Sequence, residues 1–115
     1  MQLKQILEEL PLIEVSTIDP HREVTGGYAS DLLSDVIAKS GEGSIWVTNQ
    51  AHANVAAVAV LTEAAAVIVA GGIEPDPDLV AKAKDNAVNL LRTDLPCFEV
   101  VGRLYQLGIQ GVVKE

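Results

Sequence analysis

The run A-A-V-I-V-A, from Ala65 to Ala70, limits the fold more than any other stretch of the chain. It is short, continuously apolar and closed by Gly71-Gly72. A strand that is apolar on both sides has no face to give to water, so it belongs in the middle of a parallel sheet covered on both faces. The chain around it must therefore supply parallel neighbours and the helices that connect and cover them.

Sequence of that kind is present on both sides. Leu3, Ile6, Leu7 and Leu10 recur at helical spacing and Pro11 stops the helix, with a strand expected near Leu12 to Val15. Two adjacent glycines, Gly26 and Gly27, stand where a polar run gives way to a second helix. Its apolar face holds Leu32, Leu33, Val36 and Ile37, opposite Ser30, Asp31, Ser34 and Asp35. Ser44 to Thr48, bounded by Gly41 and Gly43, reads as a strand. Ala51 to Leu61 is nearly apolar all round and reads as a helix buried on most sides. Asp76 then offers an N-cap and Pro77 a first helical position, ahead of a stripe of Leu79, Val80, Ala83 and Ala87. Val88 to Arg92 forms a further strand. Thr93, Asp94 and Pro96 open a last helix with Phe98, Val101, Leu104 and Tyr105, capped at Gly108. Ile109 to Glu115 reads either as an edge strand or as a loose tail. The expectation is one α/β domain over 1–115, three-layered, with a mostly parallel sheet and helices packed on both faces.

Composition narrows the function classes. With 49% hydrophobic and only 3% aromatic residues, the core is aliphatic and closely interleaved. A formal net charge of -8 argues against nucleic acid and against anionic membrane surfaces, both of which need clustered Lys and Arg. A single cysteine, Cys97, excludes an intrachain disulfide and the multi-cysteine metal frameworks. No apolar run approaches the ~20 residues that span a bilayer, and the first ten residues do not read as a signal peptide, so a cytoplasmic protein is expected.

In a parallel sheet all strand-to-helix junctions share one edge, where open α/β folds bind ligands. Four junctions here are polar or glycine-rich: Thr25-Gly26-Gly27, Thr48-Asn49-Gln50 with His52 and Asn54, Gly71-Gly72, and Thr93-Asp94. Together they are expected to hold a small polar or anionic ligand. Ordinary turn chemistry is the competing reading. His52 either projects towards that ligand or is a structural histidine, and His21 reads as a solvated loop residue. Cys97 follows Pro96 at a helix start, where the helix dipole is expected to lower its pKa. At least one glycine of the Gly26-Gly27 pair is expected to make room for a ligand or a second subunit. The His and Cys spacing fits no zinc pattern, so no metal is expected. No P-loop is present, and G-E-G-S-I-W at Gly41 lacks the third glycine of a dinucleotide fingerprint and precedes a strand. The acidic turn Glu74-Pro75-Asp76-Pro77-Asp78 reads as helix capping.

The segments R-E-V-T-G-G-Y-A-S-D-L-L-S-D-V (Arg22 to Val36) and W-V-T-N-Q-A-H-A-N-V-A-A-V-A-V (Trp46 to Val60), with the strand closing in Gly71-Gly72, resemble the DRTGG domain. That family occurs alone, beside CBS domains in regulatory proteins and pyrophosphatases, and within phosphotransacetylases, and it is similar to the N-terminal domain of HPr kinase. The match carries over to Arg22, Thr25, Gly26 and Gly27, while His21 stands where the family pattern has Asp. Kinase activity in HPr kinase belongs to a separate P-loop domain, so the resemblance implies a compact regulatory or assembly module, commonly self-associating, with no cofactor. Two functions are open on this reading. The first is a non-catalytic regulatory module with a small ligand at the junction edge formed by Arg22, Thr25, Gly26, Gly27, Thr48, Asn49, Gln50, His52, Asn54, Gly71 and Gly72. The second is a homodimeric protein-interaction or assembly module, with the glycines accommodating the partner. A homodimer is expected in either case, because the apolar Ala51 to Leu61 run exceeds what one small domain covers.

Overall fold

Every residue of Ala66–Val69 and of Ser44–Thr48 is buried, and the architecture follows from covering these two neighbouring strands on both sides. The computed structural model describes residues 1–16 and 18–113. Among them the elements run α1 (Leu3–Glu9), β1 (Ile13–Ser16), β2 (Gly26–Ala29), α2 (Leu33–Lys39), β3 (Ser44–Thr48), α3 (Asn54–Thr62), β4 (Ala66–Val69), α4 (Pro77–Asp85), β5 (Leu90–Arg92) and α5 (Cys97–Gln106). The five strands form one sheet in the order β1-β5-β4-β3-β2. Strands β2 to β5 are parallel, and β1 lies antiparallel on β5. The expected mostly parallel, three-layered α/β fold is the one observed.

Strands β2, β3, β4 and β5 sit side by side in chain order, so each crossover steps in the same direction. Right-handed crossovers that all step one way leave their helices on one face. Accordingly Val36 of α2, Val55, Ala56 and Ala59 of α3, and Leu79 and Ala83 of α4 pack on Trp46, Val67, Val69 and Leu90. The opposite face is left to α1 and α5, whose Leu3, Ile6, Val100 and Leu104 cover Ile45, Val47, Ile68 and Leu91. Trp46 and Asn89 carry polar side-chain atoms into the interior and hydrogen-bond them to backbone groups. The Trp46 indole donates to Ser30 O at 2.9 Å. Asn89 accepts from the Ile18 and Asp19 amides at 2.8 and 3.0 Å and donates to Ala65 O at 2.9 Å, pinning the loop after β1 to the sheet.

Several elements depart from the expected reading. Gly26-Gly27 does not open a helix. It begins strand β2, and α2 starts only at Leu33, because β3 on one side and the C-terminal segment on the other supply the pairing that glycine's weak strand preference does not. Leu32 and Ile37 are exposed, so the buried face of α2 narrows to Val36 with Leu33. Ala51 to Ala53 precede α3 rather than belonging to it. Ala87 leaves the α4 stripe, taking a left-handed φ of 56° after the helix has ended. On α5, Leu104 and Val100 face the core, while Phe98, Val101 and Tyr105 point outward.

The described part of the Ile109 to Glu115 segment is neither a full edge strand nor a loose tail: it lies along the outer side of β2 through an isolated parallel bridge between Gly27 and Gly111, with Lys114 and Glu115 lying outside the described residues. Gly27 N–H donates to Gln110 O, and Val112 N–H donates to Gly27 O, both at 2.9 Å. This pairing accounts for the glycines: neither has a left-handed backbone. A Cβ on Gly26 would lie 3.0 Å from Val112 Cγ2 and 3.3 Å from Gln110 O, and one on Gly27 would lie 3.3 Å from Ile109 Cγ2. The group that approaches the glycines is the chain's own C-terminal segment, not the ligand or second subunit expected from sequence. Gly26→Val should therefore cost about 1 to 3 kcal/mol by overpacking. In a chain ending at Ile109 most of that cost should vanish, as read from denaturation midpoints. An undiminished cost in the shortened chain would contradict this account of the glycine pair.

Candidate functional site

The carboxyl ends of the parallel strands do converge, and the turns that follow β2, β3, β4 and β5 build a polar edge around Asp31 and Asn49. Asp31 Oδ1 accepts from the Thr48 hydroxyl at 2.8 Å and from the Asn49 amide at 2.7 Å. Thr48 Oγ1 in turn accepts from the Gln50 amide at 3.1 Å, and Gln50 Nε2 donates to Asp31 O at 3.0 Å. The Cys97 thiol, from the start of α5, donates to Asn49 Oδ1 at 3.1 Å. Gly71 and Gly72, with φ of 80° and 71°, turn the chain beside Asn49 and Asp94, and a side chain on either would strain this left-handed backbone. Their amides are used internally, by Leu95 O at 2.8 Å and Thr93 O at 2.9 Å. His52 and Asn54 sit next to this cluster, over a shallow concavity shared with Asp76 and Asp78.

Thr25, Gly26 and Gly27 lie at the other end of the sheet. Because β2 runs parallel to β3, with Gly26 opposite Ser44 and Ala29 opposite Val47, they belong to the amino edge, away from Thr48. The expected single edge thus divides in two. Thr25 Oγ1 donates to Glu42 O at 2.8 Å and its amide to Gly43 O at 2.9 Å, clamping the turn before β3. Gly43 has a φ of 79°, and a Cβ there would meet Thr25 Oγ1 at 2.6 Å. Arg22 Nη2 donates to the carbonyl of Glu63, the left-handed cap of α3, at 2.9 Å. These side chains are committed to backbone partners.

Sequence reasoning missed two features. Asp31, the acceptor that organises the carboxyl edge, reads in sequence as one more residue on the polar face of a helix. Its signal is that it follows the four-residue strand G-G-Y-A, which glycines disguise. The second is an apolar groove of about 330 Å³ between α5, β2 and the C-terminal segment, lined by Gly27, Ala29, Val47, Val101, Tyr105 and Val112 among others. Phe98, 87% exposed, stands one helical turn before the lining residue Val101 on α5, and Tyr105 is 62% exposed. At the other side of β2, the Tyr28 hydroxyl donates to Asp35 Oδ2 at 2.6 Å. That hydrogen bond holds the Asp35 carboxyl below the usual range, with help from Lys39, and raises the Tyr28 phenol.

Comparison with known proteins assigns the fold a family, whose DRTGG domain pattern matches residues 25–107. The chain belongs to the DRTGG domain family. No curated protein matches the sequence. Among solved structures, this DRTGG domain is similar to the CBS and DRTGG domains of the regulatory region of Clostridium perfringens pyrophosphatase, crystallised with the activator diadenosine tetraphosphate. The TM-score is 0.72 at 18% identity, covering 91% of this chain and 46% of that one, so the present chain spans about half of that structure. The likeness establishes the fold. Among the described residues, no helix is long and apolar enough to cross a membrane.

Cys97 departs from the chemistry expected of it. Burial pushes the thiol up and the Asp31 carboxylate pushes it further, outweighing the helix-start amide that favours thiolate. A raised pKa keeps the group protonated at neutral pH, so alkylation by iodoacetamide should be slow at pH 7 and should accelerate only above the ordinary thiol value of 9.0. Asp31→Asn should move that onset to lower pH. Rapid labelling of the folded protein at pH 7 would show that the helix dipole wins.

Proposed function

We propose that this DRTGG domain is a non-catalytic regulatory module that works as a homodimer, assembled through apolar surface rather than triggered at a nucleotide site. The observation that carries the reading is the open apolar groove with a nearly free phenylalanine one helical turn before its lining residue Val101. A buried aliphatic core leaves no internal reason for Phe98 to stand in water, and contiguous exposed apolar surface marks interaction sites. The similarity to the regulatory region of a pyrophosphatase supports regulation as the setting. The absence of a P-loop in the sequence argues against the kinase activity associated with HPr kinase, and the single thiol and acidic charge suit the cytoplasm.

A second reading, a small ligand at the carboxyl edge, is favoured by the cluster of Asp31, Asn49, Gly71 and Gly72. Its chemistry is narrower than the sequence suggests. The turns 30–32, 48–53, 70–76 and 93–96 contain no Lys or Arg. Nearby Arg92 is engaged with Glu74 at 3.5 Å. A polyphosphate such as the pyrophosphatase activator would meet Asp31 and Asp94 unopposed, so the ligand of this reading is polar but not polyanionic.

Light scattering at micromolar concentration should report twice the chain mass of 12.2 kDa. A monomer would remove the assembly reading. The ligand reading would then rest on a thermal-shift screen of uncharged polar compounds, in which binding raises the melting temperature of wild type but not of Asn49→Ala.

A further inference from the structure

Exposed apolar side chains occur on three helical surfaces: Leu32 and Ile37 at α2, Val60 and Leu61 on α3, and Phe98, Val101 and Tyr105 on α5. The α5 surface differs from the other two in three ways. Positions 98, 101, 102 and 105 follow the i, i+3, i+4, i+7 spacing of a helix-packing stripe, and all four are exposed. The stripe has a glycine, Gly102, in mid-helix. A Cβ there would meet nothing within 4 Å, so the monomer does not require it, and glycine in an exposed helix interior is destabilising relative to alanine. Finally, the stripe borders the groove, so an apolar protrusion and an apolar recess lie on one face.

We infer that two copies of this chain meet along α5, antiparallel about a two-fold axis at Gly102, with Phe98 of each copy entering the groove of the other. This rests on the homodimer reading and assigns it a surface. An isologous contact requires a patch that complements itself, and protrusion beside recess meets that requirement. With α5 helices antiparallel about Gly102, Phe98 comes within one residue of the level of Tyr105 of the partner subunit, a lining residue of the groove. The Gly102 positions face each other and let the backbones approach.

Charge argues for a second copy over another occupant. The chain carries a net charge of -8, so two copies repel across most of their surfaces. The stripe itself is uncharged. On its flank, α5 has Glu99 in its first turn and Arg103 in its last, and they form an i,i+4 pair at 3.6 Å. Antiparallel pairing places Glu99 of each copy near the level of Arg103 of the partner subunit, on the same flank, and opposes the helix dipoles. The same face thus supplies apolar and charge complementarity to itself.

Two variants test the surface. Phe98→Asp alters an exposed side chain and should keep the wild-type fold by circular dichroism while weakening the dimer about a hundredfold or more, as expected for an aromatic anchor. Leu61→Asp on α3 should leave the dimer intact. Gly102→Cys in a Cys97→Ser background should form a covalent dimer on mild oxidation, since a disulfide needs Cα atoms within about 7 Å. A wild-type dimer that survives Phe98→Asp and gives no Gly102→Cys crosslink would overturn the α5 interface and leave the homodimer reading standing. A wild-type monomer would overturn both. Dissociation by Leu61→Asp but not Phe98→Asp would move the interface to α3 and overturn the inference.

Discussion

Two adjacent central strands that are apolar on both faces impose the condition on which the rest of this structure depends. Neither face of β3 or β4 tolerates water, and among the described residues five helices cover a five-stranded sheet. Because β2 to β5 follow one another without reversal, the three crossover helices are all spent on one side. The other face receives only the two helices outside the crossovers. They suffice for the middle of the sheet, where α1 and α5 bury Ile45, Ile68 and Leu91, but not for its β2 margin. There Gly27, Ala29 and Val47 remain under an open groove, bounded by α5 and by the C-terminal segment that the two glycines admit. The apolar surface assigned to assembly is thus a consequence of topology.

The carboxyl edge is weakened as a ligand site by its own hydrogen bonding rather than by topology. Doubly wound folds open a crevice where neighbouring helices leave on opposite faces. Here α4 and α5 leave the adjacent strands β4 and β5 on opposite faces. The edge is instead closed by its own groups, with Asp31 bonded to Thr48 and Asn49, and Cys97 bonded to Asn49. Exposed polar groups at strand ends can hydrogen-bond to water or to one another, and in this cluster Asp31, Thr48, Asn49 and Cys97 pair within the chain.

Much of the fold was legible because its strongest signals are local. The apolar run closed by Gly71-Gly72, the Asp76-Pro77 start of α4 and the β-branched Ser44 to Thr48 strand each declare an element without reference to the rest of the chain. Where the reading failed, the cause was tertiary. Gly26-Gly27 is a poor strand by propensity and becomes one only because Ser44 to Val47 pairs on one side and Gln110 to Val112 on the other. Misplacing that strand moved Thr25 to the wrong end of the sheet and hid Asp31 on a helix that had not yet begun. The α5 stripe was visible as a spacing, but spacing alone does not say which side faces the core: Leu104 faces inward, while Phe98, one of the same set, faces water. Similarly, the apolar run at α3 suggested a surface for assembly, yet Val55, Ala56, Val58 and Ala59 are consumed inside the chain.

We propose that this DRTGG domain works through the α5 groove and not through the polar edge, and backbone amide NMR spectra recorded over a dilution series spanning monomer and dimer distinguish the two. Concentration-dependent shifts are expected only at Phe98 to Tyr105, Gly27 to Ala29 and Ile109 to Val113, with the amides of Thr48 to Asn54 and Gly71-Gly72 unmoved. Shifts centred on those edge turns or on Val60 and Leu61, with α5 unchanged, would contradict the proposal.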